Sequence, residues 1–280
     1  MKRLLIAGFG DIARRAAPRL ARRFQLVSLS RADGFDLDRP DSLSLPPAQA
    51  LLHCAPPPDQ GAADTRTANL LAALEKGRIL PARIVYVSTS GVYGDCAGAR
   101  VDETRPPAPQ TERARRRLHA EIQLAQWAGD RGVDLVVLRV PGIYAAERLP
   151  LERLRAATPV LRSEDDVYTN HIHADDLAAI VCRALDDEAP AGVYNASDDT
   201  EMKMGDWFDL VADGHSLPRP PRISGELAPG RIPAALLSFM QESRRLDNTR
   251  LKSVLGVRLL YPTVHEGLRN EHAARLDQPA

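Results

Sequence analysis

The feature that most constrains this chain is Ala7-Gly8-Phe9-Gly10-Asp11-Ile12-Ala13, a G-x-G-x-x-A turn. It lies directly behind the apolar run Lys2–Ala7 and directly ahead of Asp11–Arg23, where Ile12, Ala16 and Leu20 recur every four residues. A lone glycine pattern means little; between a buried strand and an amphipathic helix it predicts the opening of a Rossmann-type unit. Gly8 allows the tight turn, Gly10 lets a pyrophosphate reach the backbone, and Ala13 lets the helix lie close on the sheet. The amides and dipole at the helix start then receive phosphate, so Gly8, Phe9, Gly10, Asp11 and Ile12 are candidate cofactor contacts. Pro18 inside the helix predicts a kink or a loss of stability, although the apolar period continues past it.

The pattern repeats along the chain. Phe24–Ser30, Ala50–Ala55, Arg83–Ser88, Val133–Val140 and Gly192–Ala196 read as strands. Asp64–Lys76 and Thr111–Asp130 carry helical period between them. Strands alternating with helices predict an α/β fold, a Rossmann-type doubly wound parallel sheet. The second half is less regular, with prolines at 218, 220, 221, 229 and 233 and a helical pattern from Arg244 into a further helix after Pro262. These shifts predict a Rossmann core over 1–145, a small substrate-lobe segment over 146–167, a return to the core over 168–198, and a C-terminal substrate lobe making up most of 199–280.

The strand end that should meet the adenosine ribose reads Ser28-Leu29-Ser30-Arg31. A site for NAD usually places an acid there to bond the 2′-hydroxyl. Ser30 and Arg31 instead suit a 2′-phosphate, Arg31 as a planar fork, and so favour NADP. The alternative is NAD, with Asp33 on the ribose and Arg31 in solvent.

Composition narrows the partners. Lys plus Arg is 37 and Asp plus Glu is 37, so no net positive charge is available to exchange for nucleic-acid counterions. Cys54, Cys96 and Cys182 form no C-x-x-C pair, are odd in number, and suit a reducing cytoplasm. The first apolar run stops at Gly8, too short for a secretory signal, and no stretch approaches a membrane span. His171 and His173 stand before Asp175-Asp176, but no metal is expected: the two histidines are expected on opposite faces, and one of the two aspartates is expected to cap a helix over Leu177–Leu185.

At the level of motifs the chain resembles the extended short-chain dehydrogenase/reductase family, also called the NAD-dependent epimerase/dehydratase family. The resemblance runs through GFGDIA, Asp36-Leu37-Asp38, His53-Cys54-Ala55 at the fourth strand, Val87-Ser88-Thr89-Ser90-Gly91-Val92-Tyr93-Gly94, Asp102-Glu103, Arg117-Leu118-His119-Ala120-Glu121, Leu138 to Tyr144, Asn170 to Leu177, and Val193-Tyr194-Asn195. It implies Asp36 and Leu37 near an adenine, Cys54, Ala55, Pro56 and Ser88 along the cofactor, Thr89 at the catalytic Ser/Thr position, and Pro141 beside the nicotinamide. It also exposes a departure. Counting back from Glu121, the family's catalytic tyrosine and lysine positions fall on Arg113 and Arg117, and no tyrosine lies between Tyr93 and Tyr144. Arginine is permanently protonated and makes a poor general acid or base, but it can stabilise an oxyanion or clamp a carboxylate or phosphate. This pattern, with the tail from Glu242 to Asn248 and then Leu255-Gly256 and Tyr261-Pro262, is similar to the atypical YeeZ-like branch that lacks the tyrosine–lysine pair.

Catalytic candidates are therefore Thr89, Tyr93, Arg113 and Arg117. Thr89 either holds a substrate carbonyl or satisfies a loop amide. Tyr93 is either a substitute proton donor or a packing residue, and Tyr144 a cleft wall. Arg113 and Arg117, four apart, share a helix face toward the cofactor, while Arg115 and Arg116 suit a solvated face with Glu112 and Glu121. Three functions remain open: an NADP-dependent oxidoreductase or epimerase-like enzyme on a small polar substrate, a non-catalytic NADP-binding sensor, and a nucleotide-sugar epimerase or dehydratase using Arg153, Arg155, Arg219 and Arg222. The resemblance implies a homodimer through Asp64–Lys76 and Thr111–Asp130.

Overall fold

The computed structural model describes residues 1–269. Its strands are β1 (Lys2–Ala7), β2 (Phe24–Leu29), β3 (Ala50–His53), β4 (Arg83–Thr89), β5 (Asp134–Val140), β6 (Gly142–Tyr144), β7 (His171–His173) and β8 (Gly192–Asn195). Six of them form one sheet in the order β8-β5-β4-β3-β1-β2, every neighbour parallel. β6 and β7 pair beside it as a separate parallel ribbon. His53-Cys54-Ala55 thus lies at the end of the third strand of the chain rather than a fourth.

The helices are α1 (Asp11–Leu20), α2 (Thr65–Lys76), α3 (Glu112–Gly129), α4 (Ala174–Ala184) and α5 (Met204–Gly214). Alternation along β1 sends Leu4 and Ile6 into a core with α1 and α4, and Leu5 and Ala7 into a core with α2 and α3. Both faces are covered, which is why the strands read as unbroken apolar runs. Each large aliphatic chain buried this way contributes about 1.5–3 kcal/mol.

Helix ends differ from the sequence reading in instructive ways. α1 stops at Leu20, three residues early, because Arg22 and Arg23 turn back to donate to the carbonyls of Arg19 and Leu20. Pro18 falls in this last turn, where the missing donor is tolerated. α2 starts at Thr65 because Asp64 is its cap, accepting from the Thr67 amide at 3.1 Å. α4 begins at Ala174, and its cap is His173, whose Nδ1 accepts from the Asp175 amide at 3.1 Å. Neither aspartate caps it; the Asp176 carboxylate instead accepts from the amides of Leu260 and Tyr261 at 2.7 and 2.9 Å and fastens the tail.

A second lobe has its own core of Tyr144, Leu154, Val160, Trp207, Phe208, Leu236 and Met240. It draws on 146–167 and on the stretch after 199. The tail departs from that division: Arg245–Leu246 pairs with Arg100–Val101, and Leu251, Leu255 and Leu259 join the α1/α4 core. Residues 264–269 are helical, and 270–280 lie outside the described residues.

Candidate functional site

The chain order reverses where β1 sits between β2 and β3, and ligands of open parallel sheets bind at the carboxyl ends of the strands flanking such a point. Gly8 ends β1 with φ +87°, and a Cβ on it would lie 2.4 Å from the Ala55 amide nitrogen. Only glycine allows β1 and the exit of β3 to approach so closely. A Cβ on Gly10 would meet nothing within 4 Å, and Gly10 caps α1 without a side-chain hydrogen bond. Open space therefore faces free amides at a helix start, the cradle a pyrophosphate requires.

From there a groove of about 170 Å³ runs outward, lined by Gly8, Ser30, Arg31, Asp36, Leu37, Ala55, Pro56 and Arg66. Arg66 forms its floor, donating to both oxygens of Asp38 at 2.8 and 2.7 Å and to the carbonyls of Pro56 and Pro57. The Arg31 side chain makes no hydrogen bond among the described residues, and its charge joins that of Arg66 in lowering the pKa of Asp38. Ser30 donates to Asp33 at 2.5 Å, so serine, arginine and acid stand on one short turn.

Several expected cofactor contacts are not brought to the groove by their side chains. Cys54 packs against the α1/α4 core, and burial pushes its thiol up to about 12. Ile12 is core and Phe9 packs on it. Ser88 is buried and donates to Glu121 Oε1. Asp11 is held by Arg15 and Arg148 at 2.9 and 2.8 Å; burial works to raise its pKa, but these hydrogen bonds win and lower it.

At the ends of β4 and β5 a second cleft, of about 290 Å³, opens between the core and the second lobe. Thr89, Arg113, Pro141, Tyr144, Arg148 and His171 line it, with Tyr168, Trp207, Phe239, Glu242 and Arg244 on the lobe side. Thr89 Oγ1 accepts from the Gly91 amide at 3.2 Å, which leaves its hydroxyl hydrogen to donate. Arg113 stacks its guanidinium 4.0 Å over the Phe239 ring, and burial lowers its pKa.

Tyr93 is not at this cleft. It is wholly buried and donates to Asn195 Oδ1 at 2.8 Å, which makes it a packing residue. Arg117 is half-buried and donates to the carbonyls of Val87 and Ala55 at 3.0 and 3.4 Å and to the Tyr86 hydroxyl. It ties the ends of β3 and β4 together, while Arg113 alone of the two reaches the cleft. Arg116 is buried and donates to the Gly61 carbonyl, so it is no solvated surface arginine. Glu121 pairs with Arg139 at 2.8 Å rather than with the helix arginines. Of the arginines considered for a nucleotide diphosphate, Arg153 lines the cleft, whereas Arg219 and Arg222 are spent on Asp213 and Asp209.

His171 and His173 share a face, as residues two apart on a strand must. Both rings meet the Tyr144 ring edge-on, at 6.2 and 5.1 Å between centroids. His171 also stacks on Trp207 at 4.4 Å, and burial lowers its pKa to about 3, so it is neutral. No group of three or more metal-ligating side chains occurs among the described residues, and none of their helices is long and apolar enough to cross a membrane.

Sheet, glycine turn and groove together define a dinucleotide-binding protein of the Rossmann class. The comparisons refine this. Residues 63–197 match the sequence model of the NAD dependent epimerase/dehydratase family. The match omits the glycine turn, which stands on its own geometry. A functionally unknown conserved protein from Silicibacter pomeroyi is 27% identical, with 98% of this chain and 99% of that one covered and a TM-score of 0.79. A Methylobacillus flagellatus protein, provisionally described as an NAD-dependent epimerase/dehydratase, is 26% identical over 99% of both chains with a TM-score of 0.73. RMD from Pseudomonas aeruginosa, solved with NADPH, is 21% identical over 98% of both chains with a TM-score of 0.74, a likeness of fold. The search of curated proteins finds no match.

Proposed function

We propose that this protein is an NADP-preferring oxidoreductase or epimerase-like enzyme that acts on a small polar substrate without the family's tyrosine–lysine pair. The observation that carries the reading is that Thr89 and Arg113 face one cleft at the carboxyl edge of the sheet, next to Pro141. A bound nicotinamide would supply or accept hydride there. The Thr89 hydroxyl would hold the substrate oxygen, and Arg113 would stabilise negative charge on it. Preference for NADP rests on Arg31, whose side chain lies in the outer groove without a hydrogen-bond partner among the described residues. Gly8, Phe9, Gly10, Asp11 and Ile12 would serve through backbone, and Asp36, Leu37, Ala55 and Pro56 as the adenosine walls. The RMD structure with NADPH supports NADP, and the MoeE5 structure with UDP-glucose and NAD supports the alternative.

The absence of the tyrosine and lysine favours a second reading, a cofactor-binding sensor without turnover. Titrating the protein with NADPH and NADH by nicotinamide fluorescence, for wild type and Arg31→Ala, tests the cofactor. Tighter NADPH binding that the substitution abolishes supports NADP; binding of neither ends both readings. Turnover of a carbonyl panel that is lost in Thr89→Ala selects the enzyme, and cofactor binding with no turnover selects the sensor. Assignment to the YeeZ-like branch, a cytoplasmic location and a homodimer through α2 and α3 belong to the same proposal.

A further inference from the structure

The charges lining the cleft do not balance. Arg113, Arg148, Arg153 and Arg244 face Glu242, the one acidic residue of the lining. Glu242 accepts from Arg244 at 2.9 Å, and Arg148 is committed to Asp11. The side chains of Arg113 and Arg153 are left with neither an ion pair nor a hydrogen bond among the described residues. Arg113 is fixed in place by its stack on Phe239, so its five N–H groups stand as a planar fork without acceptors. The Arg113 residue is exposed at the cleft, so these N–H groups are open to an entering anion. The neutral His171 and the Trp207 ring form an uncharged wall, which strengthens attraction between Arg113 and any anion that enters.

We infer that the cleft takes a compact organic anion, its oxyanion gripped by Arg113 with Arg153 and its carbonyl or hydroxyl oxygen on Thr89. This rests on the enzyme reading above for the role of Thr89. Volume sets the scale: about 290 Å³ is at the lower end for ligand cavities, suited to a small carboxylate or phosphate ester and too little for a nucleotide sugar.

Trp207 in the cleft wall is a built-in reporter. Tryptophan emission of Trp127→Phe protein, which keeps Trp207 alone, is followed on titration with malonate, glycerol phosphate, UDP and 2-butanone, each with and without NADPH. Saturable binding of malonate or glycerol phosphate is expected, weakened at least tenfold in Arg113→Gln and several-fold in Arg153→Gln. The exposed Arg115→Gln on the same helix should leave it unchanged, and 2-butanone should give no response. Malonate alone identifies a carboxylate site, and glycerol phosphate alone a phosphate site. Binding of UDP alone, of neither small anion, or of both with equal affinity in Arg113→Gln overturns the inference. Nicotinamide emission separates the two proposals: NADPH bound with no anion bound removes this inference only, and anion bound with no NADPH bound removes the cofactor reading only.

Discussion

Arg148 Nη1 donates to Asp11 Oδ2 at 2.8 Å and so joins the loop after β6 to the first residue of α1. An acid at the start of a helix is stabilised by the dipole, yet it stands where phosphates are expected and would repel them. Arg148 and Arg15 cancel that charge. Removing Arg148 should therefore weaken cofactor binding about fivefold, the effect of one unscreened unit charge at a few ångströms in water. Asp11→Asn in the same background should restore most of the affinity. Nicotinamide fluorescence titrations of the two single variants and the double variant measure this. Additive losses would place the phosphates away from Asp11.

Gly8 and Gly10 separate structural need from ligand need within one motif. Gly8→Ala places a methyl 2.4 Å from a backbone nitrogen at φ +87°, and neither can give way. It should cost about 3 kcal/mol or more of stability. Gly10→Ala has ordinary backbone angles and open space, so urea unfolding should barely change. Its methyl would occupy the pyrophosphate cradle, and cofactor affinity should fall tenfold or more. Unchanged affinity would move the pyrophosphate elsewhere.

This contrast also marks what a sequence reveals. Local rules placed the glycine turn, the parallel sheet and Thr89, because backbone geometry and apolar period are written over a few consecutive residues. They placed α4 wrongly at Leu177, since a histidine in the role of its cap carries no strong signal. They left Tyr93 open between a proton donor and a packing residue because nothing nearby in sequence announces Asn195, its partner in the core. The lobe side of the cleft, Tyr168, Trp207 and Phe239, is invisible for the same reason, and Glu242 and Arg244, though inside the tail motif, are not tied to the cleft by it: these residues meet only through long-range packing. Asn170 and His171 lay inside a motif already singled out, but that motif prompted a question about metals, and the tail's return to the α1/α4 core rests on Asp176 reaching Leu260 and Tyr261.

Glu121 and Arg139 form an ion pair with both side chains less than a tenth exposed, at 2.8 Å, and Ser88 adds a further hydrogen bond to the carboxylate. Arg139 also lies 4.7 Å over the Tyr93 ring. Such a pair adds little over apolar residues of equal size, but a lone survivor is a buried charge without a partner. Glu121→Ala should cost about 3–5 kcal/mol in urea unfolding. Replacing both, Glu121→Leu with Arg139→Met, should recover more than half of that loss. A double variant no better than the single would mean that Arg139 acts chiefly through Tyr93.

His171 gives the fold a defined weakness to acid. Its folded pKa is about 3, whereas a free histidine titrates near 6.5, so between these values the unfolded chain binds a proton that the folded chain refuses. Stability contributed by this group is full above about pH 6.5 and is lost as pH falls toward 3. His53, lowered to about 4 by burial, acts in the same direction and stays in place when His171 is changed. In His171→Gln the position is neutral at every pH. The stability of wild type relative to this variant should therefore drop by about 2 kcal/mol between pH 6 and pH 4, whatever constant offset the packing change introduces. Urea unfolding of both proteins at pH 6, 5 and 4 reads that difference. Parallel curves would mean that His171 takes up its proton in the folded state, and the wall beside Arg113 would then carry charge.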